Sequence, residues 1–498
     1  MLDIESTVPS EWYSSNESDR NDYETRAENI SRLTLPYVMR RDGATSSTSL
    51  DYLPSQSFNG MLVNNLKAKM GMALLPPATS SFRLKPDATA MMEIYGEDEN
   101  AISEISKQLS MNTDIINAEI ENQQIRSSLF DIILQQLVVG SVIAEKIENN
   151  GVQLHTLKNF VVKLDNQGKP LVMCIKETLS NLPEGIEPKE EAEEYELFTL
   201  VAYDAEADHW VLKQDILGEA VGEEVTYKND KLPFKYLGWT WMMDDKYHRP
   251  FAEDYLSDML QVDALSKLNT EGAVISAKSL LFVNQRGNRT NKKDVAESAN
   301  GDVLDGSSED VTALQMQKSH DFNVSNAREQ DIKQQLKQAF LDTGSVTRDA
   351  ERVTAEEIRI MAQQLESSTL AGVYSRMSLD WSKWIVEMVM DELNIKFDAI
   401  DVTVLTGLDA LGRSQEAQKL DGFMQRVAAL QLNGYIKETE LINRYASFDG
   451  INTVNLVKTK DEVDGERAAA QQAQQAQMVD EQKVATQGKV VEEQAKPQ

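Results

Sequence analysis

Residues 342–359 read DTGSVTRDAERVTAEEIR, a short charged stretch that runs directly into a complete helix start. Thr354 is the predicted N-cap, and Glu357 has the capping-box spacing that returns its carboxylate to the Thr354 backbone N–H. Val353 and Ile358 occupy the two positions of a hydrophobic staple. The sequence therefore predicts a rigid exit from the charged stretch into a helix.

The segment before the charged stretch is also predicted to be helical. Ile332, Leu336 and Phe340 repeat at helical spacing as far as Gly344. We therefore expect the stretch to join two helices. It should project four charged side chains, Arg348, Asp349, Glu351 and Arg352.

Composition limits the class of protein. The chain has 498 residues with 81 acidic and 50 basic side chains, a formal charge of −31, so its surface as a whole repels nucleic acid. Cys174 is the single cysteine, which fits assembly in a reducing cytoplasm, and the four histidines show no zinc-ligand spacing. The N-terminus has no signal-peptide pattern, and no apolar run approaches the ~20 residues of a membrane span. We predict no secretion, no membrane association, no metal and no cofactor.

Periodicity separates helical from sheet-forming regions. A helical period recurs in seven segments, at 19–35, 58–75, 98–141, 253–279, about 325–342, 414–432 and 437–447. It also extends about 40 residues beyond Thr354, with a kink expected near 367–372. Between 142 and 243 the period falls to two, which predicts mostly antiparallel sheet, and 280–322 form a compact β insert. The predicted fold class is α+β.

Residues 184–225 are strongly acidic, with fourteen acidic side chains against two lysines. A carboxylate cluster of this kind is able to hold a divalent cation, but a solvated acidic surface is its more common role. We therefore expect an acidic surface here.

The sequence carries no motif of a nucleotide-driven or hydrolytic enzyme. It has no G-x-x-x-x-G-K-[ST] loop, no dinucleotide fingerprint, no HExxH and no G-x-S-x-G elbow. We predict that the chain is not an enzyme, and that any part it takes in moving DNA is passive.

Several short motifs follow one another along most of the chain. They are YETRAEN at 23–29, NNL at 64–66, QLVVG at 136–140, RVTAEEIR at 352–359, GVY at 372–374 and TGLDALGR at 406–413. In this order and spacing they resemble the portal (head-to-tail connecting) proteins of short-tailed bacteriophages, of the podovirus, autographivirus-like type. The resemblance extends from about Tyr23 to Leu420, but it omits the acidic 184–225 segment.

The resemblance implies a portal fold assembled as a ring, with an antiparallel-sheet wing, a helical stem, a small β-containing clip and a helical crown. Carried onto this sequence, it places the wing at 1–252, the stem helices at 253–279 and 325–343, the clip at 280–324, a channel loop at 344–353, the long helix and remaining wing at 354–406, and the crown with an Ala/Gln-rich tail at 407–498.

The same resemblance implies a structural protein of the virion. About a dozen copies would assemble in the host cytoplasm into a ring at the unique head-tail vertex, and double-stranded DNA would pass through it during packaging and ejection. Such a ring would carry on the order of −370 charges, which keeps sliding of DNA easy. The implied partners are further copies of the chain, the major capsid protein, the terminase large subunit, a tail adaptor protein and internal core proteins.

Basic side chains are the candidates for contact with DNA. Arg348 and Arg352 lie in the charged loop, and Lys333 and Lys337 lie one turn apart on the preceding helix. Sparse basic rings of this kind would centre a duplex in an acidic channel. For the two lysines, an ordinary solvated helix face is the alternative.

A second basic cluster lies in the β insert, at Arg286, Arg289, Lys292 and Lys293. We expect this loop to dock an acidic motor or tail protein. The alternative is an exposed turn that only maintains solubility.

Two other functions stay open at the level of sequence. A carboxylate-dependent virion hydrolase acting on cell-wall glycans needs two carboxylates ~5 to 10 Å apart in a cleft. A scaffolding or fibrous protein is suggested by the Ala/Gln-rich tail beyond Glu466, which oligomerisation would then require.

Overall fold

A computed structural model gives the fold. It describes residues 4, 6–41, 53–76, 82–86, 99–182, 194–216, 218–277, 280–283, 293, 297–298, 311–314, 319–342, 355–395, 402–406, 413–430, 441–442, 445 and 465. The chain divides into two units: unit 1 is Met1–Pro77 with Ala118–Asn394, and unit 2 is Ala78–Asn117 with Ile395–Gln498. Helices combine with antiparallel strands, so the predicted α+β class is confirmed.

Most of the described helices follow the predicted helical segments, whereas the first of them was not predicted. They are α1 (Pro9–Asn16), α2 (Asn21–Leu33), α3 (Phe58–Leu74), α4 (Glu99–Asn122), α5 (Ile125–Val138), α6 (Leu256–Ala277), α7 (Ser319–Ala339), α8 (Ala355–Glu366), α9 (Ala371–Met377), α10 (Lys383–Glu392) and α11 (Arg413–Ala429). The single region predicted at 98–141 is two helices, because Gln124 takes the left-handed conformation with φ 56°. Among the described helices none is both long and apolar enough to span a membrane.

The strands form antiparallel sheets, as the period-two pattern predicted. They are β1 (Phe82–Pro86), β2 (Ser141–Lys146), β3 (Val152–His155), β4 (Phe160–Leu164), β5 (Pro170–Leu179), β6 (Tyr195–Asp204), β7 (His209–Ile216), β8 (Glu219–Tyr227), β9 (Phe234–Gly238), β10 (Leu280–Val283), β11 (Val311–Leu314) and β12 (Val402–Thr406). In unit 1, β4-β5-β6-β7-β8 form a five-stranded sheet, β3-β2-β9 a three-stranded sheet, and β10 pairs with β11. In unit 2, β1 pairs with β12.

Helix α1 packs on the five-stranded sheet. Trp12 and Tyr13 belong to one buried cluster with six sheet residues, Val161, Val172, Cys174, Phe198, Leu200 and Ala202. Beside this cluster the Ser10 hydroxyl donates a 2.5 Å hydrogen bond to Asp215 Oδ2. Burial raises the pKa of the Asp215 carboxyl, and the hydrogen bonds from Ser10 oppose the rise only in part.

A buried ion pair fixes the end of α10 to strand β2. Lys146 Nζ lies 3.0 Å from Glu392 Oε2, and both side chains are less than a tenth exposed. Burial alone would raise the pKa of Glu392, but hydrogen bonds from Gln123, the Asn149 N–H and Lys146 outweigh it and lower the pKa. The carboxylate is therefore held ionised by three partners from two segments, the α4–α5 turn and the β2–β3 hairpin.

The long helix predicted after Thr354 is interrupted where the serine cluster falls. Helix α8 ends at Glu366 and α9 begins at Ala371. The Ser368 hydroxyl donates to the Leu365 carbonyl and accepts from the Leu370 N–H. A serine side chain that replaces helical backbone partners in this way ends a helix, so the expected kink is confirmed.

Candidate functional site

Helices α6 and α7 pack against each other. In the sequence they precede and follow the β insert. Gly272 of α6 lies against Phe322 of α7, and a Cβ at position 272 would overlap the phenyl ring. The missing side chain lets the two helix backbones approach closely. Helix α7 begins at Ser319, earlier than the predicted start near 325.

A polar seam runs between the two helices. Asn269 of α6 donates a 2.6 Å hydrogen bond to Glu329 Oε2 and accepts one of 2.9 Å from the Ser325 hydroxyl. Glu329 is buried, with 5% of its surface exposed. A buried carboxylate needs such partners because its desolvation is otherwise costly.

Lys333 completes this seam. Its Nζ lies 2.6 Å from Glu329 Oε1, and only 23% of the lysine side chain is exposed. The same ammonium lies 5.5 Å from the centroid of the Phe58 ring, at the start of α3. Lys333 thus has a structural role, whereas its predicted contact with DNA stays a prediction.

Lys337 lies one turn further along α7 and is partly exposed. Within the described part of the chain it forms no ion pair. Its predicted contact with DNA also stays a prediction.

Helix α7 ends before Gly344, the expected terminator. The Asp342 N–H donates a 2.7 Å hydrogen bond to the Lys337 carbonyl. The Leu341 N–H donates a 3.2 Å hydrogen bond to the Gln338 carbonyl. This is a Schellman end with Leu341 at the left-handed position, φ 54°. A glycine usually occupies that position, so a strained leucine replaces the predicted glycine stop.

Helix α3 holds this end of α7. The Lys69 ammonium donates a hydrogen bond to the Leu341 carbonyl, and Asn65 Nδ2 donates one of 3.4 Å to Asp342 Oδ1. Burial lowers the pKa of Lys69, and the Asp342 carboxylate opposes the shift. Phe340 adds an apolar anchor, with its ring centroid 4.9 Å from that of Phe251.

The helix that follows the charged stretch also contacts α3. Helix α8 begins at Ala355, directly after the predicted N-cap Thr354, and it packs against α3. Val353 lies outside the described residues, and the side chains of Glu357 and Ile358 are not described, so the predicted capping box and staple stay predictions. Both flanks of the loop therefore rest on one helix.

Most of the predicted basic side chains fall outside the described residues: Arg286, Arg289, Lys292, Arg348 and Arg352. Lys293 is described, and its Nζ lies 3.9 Å from Glu297 Oε1 with both side chains largely exposed. A solvated pair at this distance contributes little to stability. The docking role of the insert stays a prediction.

Sequence reasoning missed the groups that organise the helix pair. The i, i+4 spacing of Glu329 and Lys333 was a readable signal for their ion pair. Asn269 and Lys69 carried no such signal, because their partners are distant in the chain.

Comparison with known proteins places the chain in one family. The family model described as "Bacteriophage head to tail connecting protein" matches residues 9–456. The portal protein of Enterobacteria phage T3 is 30% identical, covering 89% of this chain and 87% of its own. The portal protein of Escherichia phage T7 is 29% identical, covering 97% and 93%.

Solved structures give weaker matches. The neck of a native GTA particle computed with C12 symmetry is 11% identical, with a TM-score of 0.34 over 77% of this chain and 88% of that chain. The virion of a native gene transfer agent particle is 11% identical, with a TM-score of 0.36 over 76% and 87%. The sequence matches decide the assignment: the chain belongs to the bacteriophage head-to-tail connecting protein family, the family of the phage portal proteins.

Proposed function

We propose that about a dozen copies of this chain form a ring at one capsid vertex and act as a conduit for double-stranded DNA. The observation that carries the proposal is the family match over residues 9–456, which includes the helix pair and both flanks of the charged loop. The two relatives are named portal proteins, and this name supports a structural role for the chain over a catalytic role.

The charge of the chain suits a passive conduit. At −31 per copy, the wall offers phosphates few cationic partners whose counterions are released on binding. DNA therefore slides past without being gripped. Movement must be driven from outside, because the sequence has no nucleotide-binding loop.

A few cations would then centre the duplex. We assign this role to Arg348 and Arg352 in the loop and to Lys337, which has no ionic partner among the described residues. Lys333 is paired with Glu329 and positions α7, and its own contact with DNA stays a prediction. Helix α3 contacts the helices on both flanks of the loop. A shift of the stem helices would therefore move the loop as well.

The same ring would serve as a docking platform. Within this proposal the β insert, with Arg286, Arg289, Lys292 and Lys293, binds the acidic surface of the terminase large subunit during packaging and then of a tail adaptor. The major capsid protein and internal core proteins would contact other surfaces. Assembly would take place in the host cytoplasm before incorporation at the head-tail vertex.

Removal of the loop charges tests the conduit. Particles assembled with Arg348→Gln and Arg352→Gln together should contain normal rings but an altered amount of packaged DNA. A matched control removes two exposed arginines elsewhere, Arg40→Gln and Arg41→Gln, and should leave the DNA content unchanged. Normal DNA content in the loop variant would refute the role of these arginines.

A further inference from the structure

Three side chains that commonly bind metals meet between the two larger sheets of unit 1. They are Glu145 on β2, His155 on β3 and Glu177 on β5, and one ligand atom of each lies within 4.8 Å of the others. In the β2–β3 register Glu145 is opposite Gln153, and Ile143 is opposite His155. Glu145 and His155 are therefore diagonal neighbours on one face, within reach of each other.

The two ring nitrogens of His155 face different carboxylates. Nε2 lies 2.8 Å from Glu145 Oε2, a hydrogen-bond distance, whereas Nδ1 lies 3.8 Å from Glu177 Oε1. The second separation is too long for a hydrogen bond. Two atoms that share a zinc ion, each ~2.0 to 2.2 Å from it, are roughly 3 to 4 Å apart. The gap between Nδ1 and Glu177 therefore has the width of a bridging ion.

Both groups at this gap already have orienting partners. Glu145 accepts the Nε2–H of His155, which fixes the tautomer that leaves the Nδ1 lone pair directed at Glu177. Gln153 Nε2 donates a 2.7 Å hydrogen bond to Glu177 Oε1. An imidazole held by a carboxylate, next to a hydrogen-bonded carboxylate ligand, is the usual support around a protein-bound metal.

Charge and access also favour a cation. His155 is 3% exposed, while the side chains of Glu145 and Glu177 are 26% and 30% exposed, so the pocket is partly buried but open at one side. Neither carboxylate forms an ion pair with a described lysine or arginine. The two carboxylates lie close together in a half-buried place, and a bound cation would relieve their repulsion.

We propose that His155 Nδ1 and Glu177 bind one divalent transition-metal ion of the zinc type, with Glu145 and Gln153 orienting the ligands and water in the open positions. A nitrogen ligand favours such ions over magnesium or calcium, which prefer oxygen. The ion would join β3 to β5 and so stabilise one sheet against the other. This inference does not depend on the proposed function.

Calorimetric titration of the tag-free full-length protein with zinc chloride tests the site. We expect one zinc ion per chain, and a saturable rise of the thermal midpoint on the order of 1–3 °C. Magnesium chloride at the same concentration should give neither. Glu177→Gln and His155→Gln should each lose the bound ion. His209→Gln, which changes a histidine of the five-stranded sheet, is the matched control and should retain it.

The result that would overturn the proposal is a wild-type protein that binds no zinc, or a Glu177→Gln variant that binds it as the wild type does. If magnesium bound equally well and raised the thermal midpoint by the same amount, the cluster would be a general acidic patch and the proposal would be wrong. If circular dichroism shows that His155→Gln fails to fold, Glu177→Gln decides alone, because its partly exposed side chain keeps a hydrogen-bond acceptor for Gln153.

Discussion

Replacement of Lys333 by methionine separates the structural role of this lysine from a role in contact with DNA. Methionine retains the apolar part of the side chain but removes the ammonium that lies 2.6 Å from Glu329 Oε1. Glu329 then keeps its hydrogen bond from Asn269 but loses its counterion in a buried position. The folded state should therefore become less stable.

The magnitude follows from two contacts. A hydrogen bond to a charged group contributes about 1.5–3 kcal/mol, and the cation over the Phe58 ring adds about 0.5–1 kcal/mol at a site with some exposure. Because 23% of the lysine side chain is exposed, water partly replaces the ammonium, so we take the lower part of this range. The expected loss is about 2 kcal/mol in the free energy of unfolding.

Lys337→Met is the matched control, since it makes the same change one turn further on the same helix. It should alter the free energy of unfolding by less than about 0.5 kcal/mol, as is usual for a substitution without a specific partner. Urea unfolding followed by tryptophan fluorescence, at a protein concentration where all variants have the same oligomeric state, measures both. Equal stability of the two variants would refute the assignment of Lys333 to the helix seam.

Four further substitutions test the fold of unit 1. Lys146→Met should cost about 3–5 kcal/mol in unfolding free energy, because it leaves the buried Glu392 carboxylate without its cation; a loss under 1 kcal/mol would contradict this. Gly140→Ala should cost at least about 3 kcal/mol, because φ is +99° and a Cβ would meet backbone atoms. Gly218→Ala, with φ +80° and open space around the added Cβ, should cost only about 1–2 kcal/mol in unfolding free energy. If both glycine variants lost the same stability, crowding by backbone atoms would be excluded as the cause of the Gly140→Ala loss. Asp215→Asn should raise the thermal midpoint at pH 7, since the raised pKa of Asp215 means that ionisation costs stability at neutral pH. The gain should vanish as the pH falls below the ordinary value of 3.8, and an unchanged gain there would contradict it.

Local patterns were sufficient for most elements of the fold. Periodicity located α3 within a residue of its end, and the period-two region predicted at 142–243 contains strands β3 to β7 and β9. Strand β8 was expected mainly as part of the acidic surface at 184–225, because Glu219–Tyr227 is acidic and mostly exposed. It forms an edge strand through its backbone pairing with β7, so it needs no apolar alternation. The pairing of β1 with β12 joins distant parts of the chain and leaves no local signal.

The candidate site was predicted only in outline. The two helix ends that flank the charged stretch were predictable, from the helix-start pattern before Ala355 and from the apolar repeat that ends at Phe340. The left-handed Leu341 was not predictable, because leucine seldom adopts that conformation and Gly344 offered a better stop. The Leu341 carbonyl accepts a hydrogen bond from Lys69, a partner that only the tertiary structure brings into place.

Electron microscopy of the purified full-length protein tests the central claim most directly. We expect closed rings of about twelve copies around an axial hole wide enough for a DNA duplex, with no scaffold or DNA added. Particles that remain single chains at micromolar concentration, or that associate without a central hole, would contradict the conduit.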